Sequence, residues 1–310
     1  MRFLPTSKTS DMSTSRTLHW FRNDLRLDDN PALAEALRSD EVVPVVVLDD
    51  RLWSEDRWGH VKTGPFRTRF VLESVADLKA AIEDAGGSLL VKQGRPEEIL
   101  PRLMEEWSCA SLTAQAEHTP EELDIESAVA HAVQEVGGTS RWIEGHTLFH
   151  PDDLPMDLDA IPDIFTQFRK KVEKHSEVRE CIAAPSALSC PDGLASDAVP
   201  TWEDLLAQTG QTMPPADSRG VLPFKGGASE ARARLKHYFW DTKKLAVYKK
   251  TRNGLVGADY SSKFSPWLAS GCISSRRIAS EVYRFEDNVE ANDSTYWLVF
   301  ELIWRDYFRF

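Results

Sequence analysis

The chain has 310 residues, of which 42% are hydrophobic and 28% charged, with a formal net charge of −12. That describes a water-soluble globular protein long enough for two domains. No stretch approaches the roughly 18 apolar residues of a membrane helix. Cys109, Cys181, Cys190 and Cys272 have no metal-ligand spacing, so no metal site is expected.

Free thiols fit a reduced, cytoplasmic setting. Residues 1–16 (MRFLPTSKTSDMSTSR) read as a polar disordered tail without the apolar run of a secretory signal. Five apolar runs follow, at Thr17–Phe21, Val42–Leu48, Ser88–Val91, Ala110–Thr113 and Thr139–Ile143. Helical segments alternate with them at Pro31–Arg38, Gly64–Ala85, Pro96–Trp107 and Pro120–Val136. Prolines stand at helix starts, and Gly86-Gly87 and Gly137-Gly138 at helix ends. The alternation predicts a doubly wound, parallel, five-stranded α/β domain over 17–149. Such sheets bind ligands outside the carboxyl ends of their strands. The chain has no GxGxxG after its first strand and no GxxxxGK[ST], so the common dinucleotide and P-loop readings lose their support.

From 150 to 222 prolines and polar turn residues recur, around a helix at Ile164–Glu173. This is a linker too long for a simple loop, expected to pack over both domains. From 223 onward the period is helical. Helices are predicted over Ser229–Trp240 with Ser229 as N-cap, Tyr260–Ser270, Ser274–Tyr283 with Ser274 as cap, and Asp293–Phe310. The last is too apolar to stand exposed and is expected to be covered by further chain or a partner.

Charge is unevenly spread. Residues 225–284 hold 13 Lys or Arg against 4 Asp or Glu, a balance of +9, while the rest of the chain stands at −21. A local polyanion site and a solvated basic face explain this equally well. Within it, Ser261, Ser262, Lys263 and Ser265 surround a helix start with Pro266 in the first turn. Hydroxyls, free N–H groups, a helix end and a cation suit a pyrophosphate, and an ordinary Ser cap is the alternative.

Two segments carry a family resemblance. WFRNDLRLDDNPAL (Trp20–Leu33) is similar to the opening signature of the photolyase/cryptochrome family. YKKTRNGLVGADYSSKFSPWLASGCIS (Tyr248–Ser274) with ELIWRDYFRF (Glu301–Phe310) resembles its flavin-binding core, in wording nearest the DASH cryptochromes. The charged residues around Arg22, Arg26, Asp24, Asp28 and Asp29 read mainly as a structural ion-pair network. The resemblance implies an antenna-type α/β domain over 17–149 and an all-helical FAD-binding domain, incomplete here, over 223–310. It implies FAD contacts at Tyr248, Ser261, Ser262, Lys263, Ser265 and Arg305. Arg252 falls on the implied DNA face, and Glu301 and Trp304 line the implied pocket for a flipped lesion. Their spacing of three puts these two on one helix face. Glu117, in AQAEHTPEE after the fourth strand, matches the glutamate that contacts an antenna methenyltetrahydrofolate.

Residues that enclose the flavin ring in the family have no counterpart here, so the chain is expected to be a C-terminally truncated member holding no catalytic residue of its own. The implied activity of a complete monomer is blue-light repair of cyclobutane pyrimidine dimers, in single-stranded or looped DNA. A blue-light receptor without repair is the alternative, and a non-flavin α/β nucleotide-binding protein is a distant third.

Overall fold

The computed structural model describes residues 14–310, so the tail expected over 1–16 lies outside the described residues up to position 13. Ser15 is already anchored, its N–H and Oγ each donating to Asp40 at 2.8 Å. Strands β1 (Arg16–Phe21), β2 (Glu41–Leu48), β3 (Leu90–Gln93), β4 (Ser111–Gln115) and β5 (Thr139–Ile143) form one parallel sheet in the order β3-β2-β1-β4-β5. Helices α1 (Pro31–Ala36), α2 (Pro65–Asp84), α3 (Pro96–Glu106) and α4 (Pro120–Glu135) connect them. This is the doubly wound sheet that the alternation predicts, with its switch point between β1 and β4.

Two strand details have physical causes. Pro44 faces His19 of β1, while β3 pairs only from Val45 onward, so the missing N–H of Pro44 costs no ladder bond on that side. Strand β3 begins two residues later than the apolar run Ser88–Val91 suggests. Leu89 N–H donates to Ser196 Oγ at 3.1 Å, and Leu89 O accepts from Asp197 N–H at 3.0 Å, so the linker occupies the place of a strand neighbour there.

The linker contains α5 (Phe165–His175), α6 (Trp202–Gln208) and two short 3-10 turns at Pro151–Asp153 and Leu158–Ala160. Leu188 N–H donates to Ala85 O at 2.8 Å, and Val42 N–H to Ser189 O at 2.8 Å. Phe165 and Phe168 of α5 are buried in the core that the helical part shares.

The helical part comprises α7 (Ala228–Lys236), α8 (Tyr248–Thr251), α9 (Ser265–Ala269), α10 (Ser275–Asn288) and α11 (Asp293–Arg309). Three predictions change here. Ser229 does not cap α7: Gly227 holds the cap position, and Ser229 N–H donates to Asp77 at 3.1 Å. The helix predicted over Tyr260–Ser270 shrinks to Ser265–Ala269, because Lys263 adopts φ +59, outside helical geometry. After Lys236 the winding widens to a π turn over His237–Asp241, which buries both Tyr238 and Phe239. Ser274 does cap α10, accepting from Arg277 N–H at 2.9 Å.

One apolar core runs without a break from one face of the sheet through α2 into α7, α10 and α11; a second fills the other face. Two glycines let backbones meet across it. A Cβ on Gly226 would stand 2.0 Å from Phe70 O. Gly271 adopts φ +66, and a Cβ there would stand 1.8 Å from Asn23 O. Gly271→Ala is therefore expected to cost on the order of 2–4 kcal/mol in urea unfolding, and Gly64→Ala, where a Cβ meets nothing, under about 1 kcal/mol. Equal midpoints for the two variants would show that the two parts are not pressed together at Gly271.

Candidate functional site

The segment after β1 is built to hold the helical part. Asp29 is fully buried and takes Arg276 in a fork, Nη2 to Oδ1 at 2.8 Å and Nε to Oδ2 at 3.1 Å. Its carboxylate also accepts from Ser274 Oγ and from Ile182 N–H. Arg26, buried as well, donates to Asp29 O and, through Nη1, to Gly271 O at 2.9 Å. Arg277 forks onto Asp28 at 2.8 and 2.7 Å. These charges are spent on one another and on backbone, the structural network that their clustering suggests.

A separate set of contacts fixes the loop leading into α9. Buried Arg234 of α7 donates to the carbonyls of Ala258, Ser261 and Ser262 at 3.0–3.1 Å and to Asp259 at 2.7 Å. With the carbonyls drawn toward Arg234, the amides of Ser261, Ser262, Lys263 and Phe264 donate to no group among the described residues. Ser262 is buried, Ser261 and Lys263 half-buried, and Ser265 exposed. Lys263 Nζ lies 3.6 Å from the Tyr260 ring centroid. Four consecutive free N–H groups beside two hydroxyls are a fit for a diphosphate. Arg234 went unread in the sequence; its only signal is a cationic residue at a core-facing position between Ala231 and Leu235.

Tyr248, Arg252, Ser262 and Glu301 come together. Burial pushes the Tyr248 phenol up to about 12; the Glu301 carboxylate adds to this, and Arg252 and the Ser262 hydroxyl oppose it. Arg252 Nη1 meets Glu301 Oε1 at 2.7 Å, and its guanidinium lies 5.6 Å from the Trp297 ring centroid. Trp304 goes elsewhere. Its ring stacks on Phe165 of α5 with centroids 3.5 Å apart and planes at 14°. Glu301 and Trp304 thus have different partners despite their spacing.

Arg305 points to the other side of α11. Nη1 donates to His146 O at 2.6 Å and to Ser275 Oγ at 3.1 Å, and Nη2 to Leu268 O at 3.4 Å. Burial, with Arg309 nearby, brings it down to about 10. It lines a cleft of about 540 Å³ with His118, Ser265, Leu268, Ala269 and Phe308. Its neighbour Asp306 is fully buried and accepts from Leu148 and Phe149 N–H at 2.9 Å. Burial lifts Asp306 to about 7 against those two amides.

Glu117 sits at the end of β4, 5% exposed. Its Oε1 accepts from Asn23 Nδ2 at 3.0 Å and lies 2.8 Å from His146 Nε2. Oε2 accepts no hydrogen bond among the described residues. Burial would raise Glu117, but His146, Arg22 and Asn23 outweigh it and hold the carboxyl at about 2. Burial also lowers His146, whose Nε2 stands between Glu117 Oε1 at 2.8 Å and Gln115 Nε2 at 2.9 Å. A second pair, His118 and Glu144, lies beside it at 3.2 Å. Neither histidine stands in a sequence pattern that would single it out. A further cleft of about 830 Å³ opens over the carboxyl ends of β1 and β2, lined by Asn23, Asp49, Arg51 and Lys62 among others.

Glu117, depressed when folded, contributes stability that is present above its ordinary value of 4.5 and lost as pH falls from there toward 2. Glu117→Gln is expected to flatten the fall in urea midpoint between about pH 5 and pH 3. A slope there like that of the unaltered protein would show that Glu117 is not held ionised.

A model of the DNA photolyase family matches residues 17–189. Cryptochrome DASH of Gloeobacter violaceus is 46% identical over 300 residues, covering 96% of this chain and 59% of that protein. Cryptochrome DASH of Danio rerio is 44% identical over 305 residues, covering 96% and 58%. Among solved structures, a Synechocystis cryptochrome superposes with a TM-score of 0.88 at 40% identity, over 100% of this chain and 62% of that one. A bacterial class III photolyase of Agrobacterium tumefaciens shares the fold with a TM-score of 0.77 at 24% identity, over 97% and 60%. The chain spans about 60% of the length of these relatives.

Proposed function

The chain belongs to the DNA photolyase family, and on that premise we propose that it carries the diphosphate side and one lesion-facing wall of a flavin-dependent, blue-light-driven enzyme that repairs cyclobutane pyrimidine dimers in single-stranded or looped DNA. The observation that carries the reading is the run of free amides at Ser261–Phe264, held open by Arg234. FAD would rest its diphosphate there, with the Ser261, Ser262 and Ser265 hydroxyls adding donors and Lys263 a cation. Tyr248 backs the same loop through Ser262. Arg305 faces the cleft beside Ser265 and supplies positive charge on the far side of α9. When bound, the excited reduced flavin supplies the electron that splits the dimer. Arg252 would hold a DNA phosphate, with Glu301 beside it to meet base edges and Trp304 to offer a stacking surface for an everted base. Glu117 keeps one carboxylate oxygen free for a ring N–H of an antenna folate.

The Arg252–Glu301 ion pair and the Trp304–Phe165 stack support a second reading. With those groups already engaged, the same flavin would serve as a photoreceptor that signals without repair. Blue-light assays on the full-length, FAD-loaded protein with a dimer-containing oligonucleotide separate the two, this chain alone being expected to be inactive. Repair above the dark control is expected. Glu301→Ala and Trp304→Ala should each lower it by about tenfold or more while the flavin absorption stays unchanged. Flavin absorption without repair would favour the receptor, and absence of flavin absorption would overturn both readings.

A further inference from the structure

Between α8 and α9 the chain turns through a loop whose tip carries Leu255 and Val256, 90% and 89% exposed. Two adjacent apolar side chains this bare call for an explanation, because the stem beneath them is firmly held. On the near limb, Gly254 N–H donates to Thr251 O at 2.8 Å, and Gly254 packs so closely on Tyr260 that a Cβ would stand 3.1 Å from Tyr260 Cβ. On the far limb, Arg234 grips Ala258, Asp259, Ser261 and Ser262. Gly257, at φ +89, turns the chain back just after the tip. The tip is displayed on a fixed stem, not collapsed onto the protein.

The charge around it is positive. Lys249 and Lys250 are exposed at the foot of the loop; Lys249 pairs with Asp293 at 3.0 Å, and Lys250 forms no ion pair among the described residues. Arg252 stands three residues before Leu255 and meets Glu301 at the face assigned above to DNA. Cations beside an apolar tip complement a polyanion that hides flat apolar surfaces between its charges, which describes stacked bases between phosphates. A bilayer would call for a longer apolar face than two residues supply.

We propose that Leu255 and Val256 form a wedge that enters the base stack of DNA bound at the Arg252–Glu301 face and fills the space left beside an unstacked base. The proposal rests on the DNA-binding reading and adds a contact that favours gapped, looped or mismatched strands over intact duplex. The phosphate contacts at Lys250 and Arg252 set overall affinity; the tip sets the preference for interrupted stacking.

The test uses the protein with oligonucleotides carrying 2-aminopurine at a gap, and the matching intact duplex. For the unaltered protein, tighter binding to the gapped strand and a rise in 2-aminopurine fluorescence are expected. Leu255→Ser with Val256→Ser should lose about tenfold of that preference and the fluorescence rise, with the salt dependence unchanged. Leu255→Phe should restore both. Lys250→Ala should weaken gapped and intact DNA alike and reduce the salt slope by about one. If the unaltered protein binds neither DNA, the DNA-binding reading fails. If it binds and the double Ser variant keeps the preference and the fluorescence rise, the wedge fails while that reading stands. Tip-dependent binding to phosphatidylserine vesicles in place of gapped DNA would likewise overturn the wedge.

Discussion

The buried carboxylate of Asp29 holds this molecule in one arrangement. It sits at φ +51, with no exposed surface, and its two oxygens receive Arg276, Ser274 and the Ile182 amide. It thereby ties together the loop after β1, the linker and the start of α10. A buried ion of this kind persists only because each lone pair has a partner, and losing one partner typically costs about 3–5 kcal/mol. Arg26 extends the tie to Gly271, which brings that glycine against the Asn23 carbonyl. The serine loop before α9 is held by a separate residue, Arg234, through the carbonyls of Ala258, Ser261 and Ser262.

Helix α11 is the second tie, and it serves several purposes at once. Successive side chains leave it in different directions: Glu301 toward Arg252, Trp304 toward Phe165, Arg305 toward His146 and Asp306 toward Leu148 and Phe149. Asp306 satisfies two amides beyond β5. His146 joins two regions, giving its carbonyl to Arg305 and its ring to Glu117. The position of Glu117 relative to the serine loop is therefore set through a short chain of polar contacts, not through apolar packing alone.

Sequence patterning shows the sheet well, because period and punctuation are local. Pro31, Pro96 and Pro120 mark their helices, and Ser274 caps α10 as its position suggests. The errors fall where distant contacts override local preference. Leu89 binds the linker in place of a strand, and Ser229 binds Asp77 in place of its own helix. The length of α9 is cut by the left-handed Lys263, which no propensity announces. For the candidate site, the resemblance supplied the residues to look at, as at Ser261–Ser265. The groups that shape it, Arg234, His146 and Asn23, act across 24 or more positions and carry no motif. Helical spacing places Glu301 and Trp304 on neighbouring positions but does not choose their partners.

The segment between the two folded parts is less a tether than a seam. It is joined to Ala85, to Val42, to Leu89 and to Asp29 by main-chain hydrogen bonds. Its last portion, 214–221, is exposed throughout. Cutting the backbone there would remove none of those bonds, and the unbroken apolar core would still span the cut. The two pieces should therefore behave as complementary fragments that stay associated after proteolysis and find each other again when expressed separately.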